Sequence, residues 1–531
     1  MSLTEPPEII AFVCHWCAYA GADLAGISRI QYPPNVRLVR VMCTGRIHSG
    51  FLLHALLEGA QGVLVSGCHI GDCHYLEGNV KCQKVIEETW EYLRLLGIDE
   101  RRLRVKWISA SEGTEFAKEI QEFVQFLQGL GEKPLADKRK WDLKGLPSSD
   151  NIGLDKGPPQ LRDEQIATCM ECSSCTGTCP VSRENPLFSP KQIINRTAMG
   201  LVADILQSRE VWACLGCAQC NTRCPALIDI SEFNRSFRRR ARNAGNPPVE
   251  SHHGIHQTIA RLQRHPLQQK RTDWAEKAGK FKSTGEYFYF IGCLPYFDIT
   301  FRYLNISPLE SARSVVTLLN RIGIEPVISN DERCCGHDAL WCGEEDTFLE
   351  LALWNLEIIK ASGAKTVLFS CPEGYSTFKY YYPKYVGELH FEVVHLAEFF
   401  AREIPKSGLK LRPFSDGTVT YQDPCRLGRW AGIYEPPREL IKLIPGTKLI
   451  EMERTRENAL CCGTSAWMEC SSCSKVIQTE RLMEAQQTGA KELITACPKC
   501  RIHLTCAKMG ENLDMRLNDI YTFLAERLEE K

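Results

Sequence analysis

Short apolar runs alternating with amphipathic stretches open the chain. EIIAFVC (8–14), VRLVRVMC (36–43), GVLVSGC (62–68) and LRVKWIS (103–109) have the length and β-branched content of strands. SGFLLHALLEGA (49–60) and TEFAKEIQEFVQFL (114–127) carry apolar residues at helical spacing. Strands alternating with helices predict a small α/β domain with parallel pairing, residues 1–132. The polar, Pro- and Gly-containing stretch that follows predicts a linker over 133–160. Residues 161–245 have helical patterning, and 246–284 are expected to form a helical connector. The α/β pattern then returns twice, over 285–412 and 413–531, in two similar and pseudo-symmetric lobes. The expected architecture is therefore α/β and α: a small α/β domain, a helical middle and two α/β lobes.

Composition changes this picture at one point. With 44% hydrophobic and 24% charged residues over 531 positions, the chain is ordinary globular material, enough for about three or four domains of roughly 150 residues. A formal net charge of −1 argues against a general nucleic-acid binder. No apolar run approaches the roughly 20 residues that span a bilayer, and MSLTEPPEII lacks the pattern of a secretory signal, so a cytoplasmic location is expected. The exception is 27 cysteines. A chain this large does not need disulfides to build a core, so clustered cysteines point to metal-binding thiolates.

The middle carries the sharpest signal. CMECSSCTGTCP (169–180) and CLGCAQCNTRCP (214–225) both read C-x2-C-x2-C-x3-C-P. In proteins with two such runs, the fourth cysteine of each ligates the other cluster. One cubane 4Fe–4S cluster is then expected on Cys169, Cys172, Cys175 and Cys224, and the second on Cys214, Cys217, Cys220 and Cys179. Structural zinc is the competing reading, and two tandem runs disfavour it. The basic run Arg238–Arg240 reads as a solvated helix face, with docking of an acidic partner as the alternative.

At the N-terminus, Cys14, Cys17, Cys43, Cys68 and Cys73 all lie just past expected strand ends, the edge where ligands gather in open α/β sheets. Four of the five would fit a 2Fe–2S cluster, with His15, His69 or His74 as an alternative, Rieske-like donor. Cys82, inside the following helix, reads as a packed thiol.

The lobes repeat a cysteine pattern. Cys293, Cys334, Cys335 and Cys371 form one set; Cys425, Cys461, Cys462 and Cys497 form the other. Only the second adds Cys500, where the first has Gly374. Gly463 lets the chain turn closely behind its cysteine pair. Four thiolates suffice for a cubane or a 2Fe–2S cluster, and Cys342 could serve as a fifth ligand in the first lobe. Cys470 and Cys473 stand outside the pattern, as surface thiols or as a helical pair facing one way.

FVCHWCAYAGADLAG, RIQYPPNVRLVRVMCTGRI, GCHIGDCHYLEGN and WISASEG resemble the delta subunit of methyl-viologen-reducing hydrogenase over nearly all of residues 8–130. The middle resembles the C-type subunit of heterodisulfide reductase, and the C-terminal half resembles the B-type subunit of the same enzyme. The first resemblance implies a 2Fe–2S cluster that passes electrons between a hydrogenase or formate dehydrogenase and a flavin-containing component of heterodisulfide reductase. The last implies a noncubane 4Fe–4S cluster on Cys425, Cys461, Cys462, Cys497 and Cys500, where a disulfide of the heterodisulfide type is reduced. The first lobe is expected to hold one further iron–sulfur cluster. No G-x-G-x-x-G fingerprint occurs, so no flavin is expected on this chain and a separate flavin-bearing partner, the A-type subunit of heterodisulfide reductase, is implied. Together the resemblances imply a large hetero-oligomer that performs flavin-based electron bifurcation. The alternative is a pure electron relay to another reductase, such as a methylenetetrahydrofolate or acyl-CoA reductase.

Overall fold

The computed structural model describes residues 7–130, 133–147, 166–414, 417–511 and 513–529. Residues 148–160 of the expected linker lie outside these. The chain divides into two compact units: residues 1–140 with 252–271, and residues 141–251 with 272–531.

The first unit is a four-stranded parallel sheet of β1 (Ile9–Cys14), β2 (Val36–Val41), β3 (Gly62–Gly67) and β4 (Leu103–Trp107), in the order β2-β1-β3-β4. All four runs read as strands form strands. β3 is buried throughout, whereas β2 at the sheet edge is partly exposed, as edge and centre require. The helices Ala18–Ile27 and Gly113–Leu130 pack together on one face. The order reverses between β1 and β3, so the carboxyl ends of these strands form the crevice where a ligand can sit. Part of the expected connector belongs to this unit. The helix Ile255–Leu262 packs on the helix Ser49–Leu57, and the Lys270 amide donates to Leu95 O at 2.9 Å.

The second unit joins the helical middle to both lobes through one hydrophobic core. Residues 166–245 contain no strand among those described and fold as short helices ending in Ile230–Asn243. The first lobe's sheet is β5 (Tyr287–Phe290), β6 (Thr366–Phe369) and β7 (Glu392–His395), parallel and in that order. The second holds β8 (Thr418–Gln422), β9 (Lys448–Leu449), β10 (Glu492–Thr495) and β11 (Arg516–Asp519), in the order β9-β8-β10-β11. Thus β8-β10-β11 answers β5-β6-β7. β9 answers Val327, which makes isolated parallel bridges to Phe288 and Lys282.

The lobes meet where the helix Leu309–Arg321 packs on the helix Ile520–Ala525. Asp519 caps the latter, accepting from the Tyr521 and Thr522 amides at 3.0 and 3.3 Å, and also accepts from Ser311 Oγ at 2.8 Å. Such a cap contributes about 1 kcal/mol, and here the same carboxylate ties lobe to lobe.

Candidate metal centres

In all three sheets the cysteines lie where parallel strands end. Cys14 closes β1, and Cys68 follows β3; their sulfurs are 3.7 Å apart at the switch point of the first sheet. Cys14, Cys17 and Cys68 have their sulfurs within 4.8 Å of one another. Cys43 and Cys73 form a second pair at 3.9 Å. The helix Gly78–Leu96 begins against that pair. A Cβ at Gly78 would lie 2.1 Å from Cys43 Sγ and 3.2 Å from Cys73 Sγ, so only glycine permits the approach. Two of the three neighbouring histidines are engaged elsewhere. His69 Nε2 lies 2.7 Å from Glu112 Oε2, and His74 stacks on Trp16 with ring centroids 3.9 Å apart. Cys82 is wholly buried in its helix, and burial pushes its thiol up to about 12.

In the middle, Cys169, Cys172, Cys175 and Cys224 line one cavity. Cys179, Cys214, Cys217 and Cys220 line another. Each cavity therefore draws three thiols from one run and the fourth from the other. Left-handed residues bend the loops: Glu171 and Ser173 (φ 52° and 62°) in the first run, Gly216 and Ala218 (φ 60° and 59°) in the second. Such bends turn successive amides toward one concavity, the backbone form of many iron–sulfur sites. Arg238 departs from the expected solvated face. It is fully buried and donates to Val211 O, Trp341 O and Cys214 O at 3.1, 3.0 and 2.5 Å. A charged donor outcompetes water here because three carbonyls, one of them from the cysteine loop, converge on it.

In the lobes, Cys293, Cys371 and Cys497 each stand at the N-cap of the helix that follows a strand. Cys293, Cys334, Cys335 and Cys371 line one cavity, with 3.8 Å between the sulfurs of Cys293 and Cys334. The same cavity is lined by His337, Asp338, Glu373, Gly374 and Lys499. The second lobe brings its five thiols into one connected group. Cys461, Cys462, Cys497 and Cys500 are buried in one cluster, with Cys425 packed against it. Gly463 behind the pair has φ 79°, and a Cβ there would lie 2.8 Å from Ser474 O.

Gly374 marks the difference between the lobes. A Cβ at that position would come 3.2 Å from Phe369 Cδ1, whereas the residue matching Phe369 in the second lobe is Thr495. The aromatic ring crowds that position and would have to give by a few tenths of an ångström to admit a side chain there. Cys342 lines a different place: its sulfur lies 3.6 Å from Ala466 O and 3.9 Å from Met468 Sδ. Cys470 is exposed just ahead of the helix Ser472–Gln487, which contains the half-buried Cys473.

The middle touches the second lobe through sulfur. Cys217 packs in one cluster with Cys461, Cys462, Cys497 and Cys500, and its interaction with Cys461, together with the guanidiniums of Arg429 and Arg426, draws its thiol down to about 6 against its burial. The segment after Cys425 reinforces the junction. Arg429 Nε donates to Cys217 O at 2.6 Å, and Trp430 Nε1 to Gly216 O at 3.0 Å. Between them Arg426 lies over the rings of Trp341 and Trp430, 4.0 and 4.6 Å from their centroids. The cysteine pattern does not announce these residues. Their adjacency to Cys425 is the one signal that could have found them, as it is for His337 and Lys499 beside their own cysteines.

The donor sets fit iron–sulfur clusters: thiols gathered in fours and fives, facing cavities, on loops with inward-turned amides. Comparisons with known proteins agree. Residues 9–131 match the family described as methyl-viologen-reducing hydrogenase, delta subunit. Residues 165–228 match a 4Fe-4S dicluster domain, and residues 287–379 and 419–505 each match a cysteine-rich domain. These parts define an iron–sulfur protein of fused modules. The D-type subunit of dihydromethanophenazine:CoB–CoM heterodisulfide reductase from Methanosarcina acetivorans is 31% identical over 415 residues, covering 72% of this chain and 98% of that relative. The D-type iron-sulfur subunit of F420-non-reducing hydrogenase from Archaeoglobus profundus is 47% identical over 131 residues, 25% of this chain and 96% of the relative. The A-type subunit of ferredoxin:CoB-CoM heterodisulfide reductase from Methanosarcina mazei is 46% identical over 143 residues, 27% of this chain and 18% of the relative. The chain belongs to the family of heterodisulfide reductase D-type subunits and carries a hydrogenase delta-type domain ahead of the part that defines that family. Among the described residues, no helix is long and apolar enough to cross a membrane.

Proposed function

We propose that this chain is the electron-carrying iron–sulfur subunit of a cytoplasmic, heterodisulfide-reductase-like complex, and that its second lobe reduces a disulfide of the heterodisulfide type. The single observation that carries this reading is the packing of Cys217 in one cluster with Cys461, Cys462, Cys497 and Cys500, which brings the dicluster middle to the five-thiol group. Four of Cys14, Cys17, Cys43, Cys68 and Cys73 hold a 2Fe–2S cluster. Cys169, Cys172, Cys175 and Cys224 hold one cubane, and Cys179, Cys214, Cys217 and Cys220 the other. Cys425, Cys461, Cys462, Cys497 and Cys500 hold a noncubane cluster, and the first lobe holds a further cluster on Cys293, Cys334, Cys335 and Cys371. When loaded, these groups exchange single electrons at potentials set by charge, burial and hydrogen bonds to sulfur. The protein's part is to space them, to exclude water from the lobes and to supply positive charge, from Arg426 and Arg429, at the junction.

The delta-type domain works beside a flavin-containing partner, the A-type subunit of heterodisulfide reductase, with a hydrogenase or formate dehydrogenase as donor, and the complex bifurcates electrons at that flavin. The likeness of part of this chain to part of such an A-type subunit supports that placement. The experiment is EPR on the anaerobically purified, oxidised protein with and without coenzyme M. A paramagnetic signal that appears only with thiol, and that Cys500→Ser abolishes, supports disulfide chemistry in the second lobe. A second reading, a pure relay to another reductase such as a methylenetetrahydrofolate or acyl-CoA reductase, draws on the four-thiol first lobe at Gly374. Full disulfide reductase activity in Cys500→Ser, or no thiol-dependent signal, would favour it.

A further inference from the structure

We infer that His337 completes the first-lobe site as an iron ligand through Nε2, standing in for the cysteine that Gly374 replaces. This rests on the reading that the first lobe holds a cluster. His337 lines the cavity of Cys293, Cys334, Cys335 and Cys371 and is 1% exposed. It starts the helix His337–Trp341 one residue behind the cysteine pair and Gly336. Its Nδ1 lies 2.8 Å from Asp338 Oδ1 and 3.3 Å from Glu373 Oε2. Two carboxylate acceptors on that side assign the proton to Nδ1 and leave the lone pair on Nε2. Among the described residues Nε2 has no hydrogen-bond partner, although it is buried.

A carboxylate behind one imidazole nitrogen and a free lone pair on the other is how metal-bound histidines are oriented. The carboxylates themselves are not free to take the metal. Lys499 Nζ already sits between them, 2.6 Å from Asp338 and 2.5 Å from Glu373. The two lobes are complementary in this respect. The lobe with Cys500 has Thr464 at the position of His337, and the lobe with His337 has Gly374 at the position of Cys500. A neutral imidazole in place of a thiolate also raises a cluster's reduction potential, so the two lobes would be poised apart.

The test uses the holoprotein labelled with 15N-histidine and pulsed EPR of its clusters, wild type against His337→Gln. The comparison is needed because His503 lies 3.6 Å from Cys462 in the other lobe. The expected result is a histidine nitrogen coupling that is lost in His337→Gln. In His337→Cys the coupling is also lost, while iron and acid-labile sulfide are retained and the potential of one cluster falls. A nitrogen coupling unchanged in both variants, or a loaded first lobe without one in the wild type, overturns the ligand alone. Iron content that Cys335→Ser leaves unchanged shows that the lobe holds no cluster, and overturns that reading and the ligand together.

Discussion

Glu373 and Lys499 occupy the same position of an internal repeat, two residues after Cys371 and Cys497, and they form an ion pair with each other at 2.5 Å. Asp338 joins the same ammonium at 2.6 Å. Burial works against the charge on Lys499, but the two carboxylates overcome it and hold the ammonium well above the ordinary lysine range. All three groups are buried, so removing one partner strands the others. Lys499→Met should destabilise the second unit by about 3–5 kcal/mol. Replacing the whole network, with Asp338→Asn and Glu373→Gln added, should recover most of that loss in denaturant unfolding.

Arg238 is the counterpart of this network in the middle. Charge-assisted hydrogen bonds contribute about 1.5–3 kcal/mol each, and Arg238 makes three to backbone carbonyls. Arg238→Met should cost at least about 3 kcal/mol and release the loop of Cys214. Iron analysis after anaerobic reconstitution should show the loss of one cluster, and circular dichroism should show the parallel sheets retained.

The crowding of Gly78 against Cys43 and Cys73 predicts a selective lesion. Gly78→Ala should abolish iron binding by the delta-type domain while leaving the clusters of the second unit in place. Iron content and visible absorption of the two proteins, loaded side by side, check this. Equal loading would show that the Cys43–Cys73 pair takes no part in the site.

Phe369 and Gly374 should act as a couple. Gly374→Cys alone meets the phenyl ring at 3.2 Å and should load poorly. Phe369→Thr and Gly374→Cys, with His337→Thr, give the first lobe the second lobe's five cysteines and the counterparts of its Thr464 and Thr495. The Mössbauer spectrum of its iron should then converge on that of the second lobe.

Acid should weaken the first unit through His48. Burial, then the charges of His253 and Arg46, lowers His48 to about 4, while its ring stacks on that of His253 at 3.4 Å. A folded-state value below the unfolded one means that stability is complete above about 6.5 and is lost as pH falls toward 4. Unfolding of the delta-type domain should therefore occur at lower denaturant near pH 5 than near pH 7, and His48→Phe should flatten the dependence.

The first sheet was legible in the chain because a strand buried on both faces leaves a nearly continuous apolar run, as at β3. The grouping of thiols was legible because three of four ligands in each middle site come from one short turn. The network of Lys499 was not, since a charge two residues from a cysteine reads as surface until its partners arrive from another lobe. Arg238 misled for the same reason. Within RRR nothing distinguishes the side chain that meets three carbonyls from its neighbours. The attachment of residues 252–271 to the first unit rests on contacts such as Lys270 with Leu95, which have no local periodicity to betray them.

The three sheets owe nothing to metal: their strands pair by backbone and pack by side chain, and the cysteines are appended at their ends. The strandless middle differs, since its short helices surround two thiol-lined hollows rather than a sheet. Where a fold is built around its ligands, binding energy is folding energy. Maturation should therefore run in a set sequence, with the delta-type domain and both lobes standing before iron arrives and the middle taking shape last. In such an order iron enters the middle only after the three sheets stand, so no cubane forms on a chain whose other thiols are still unplaced.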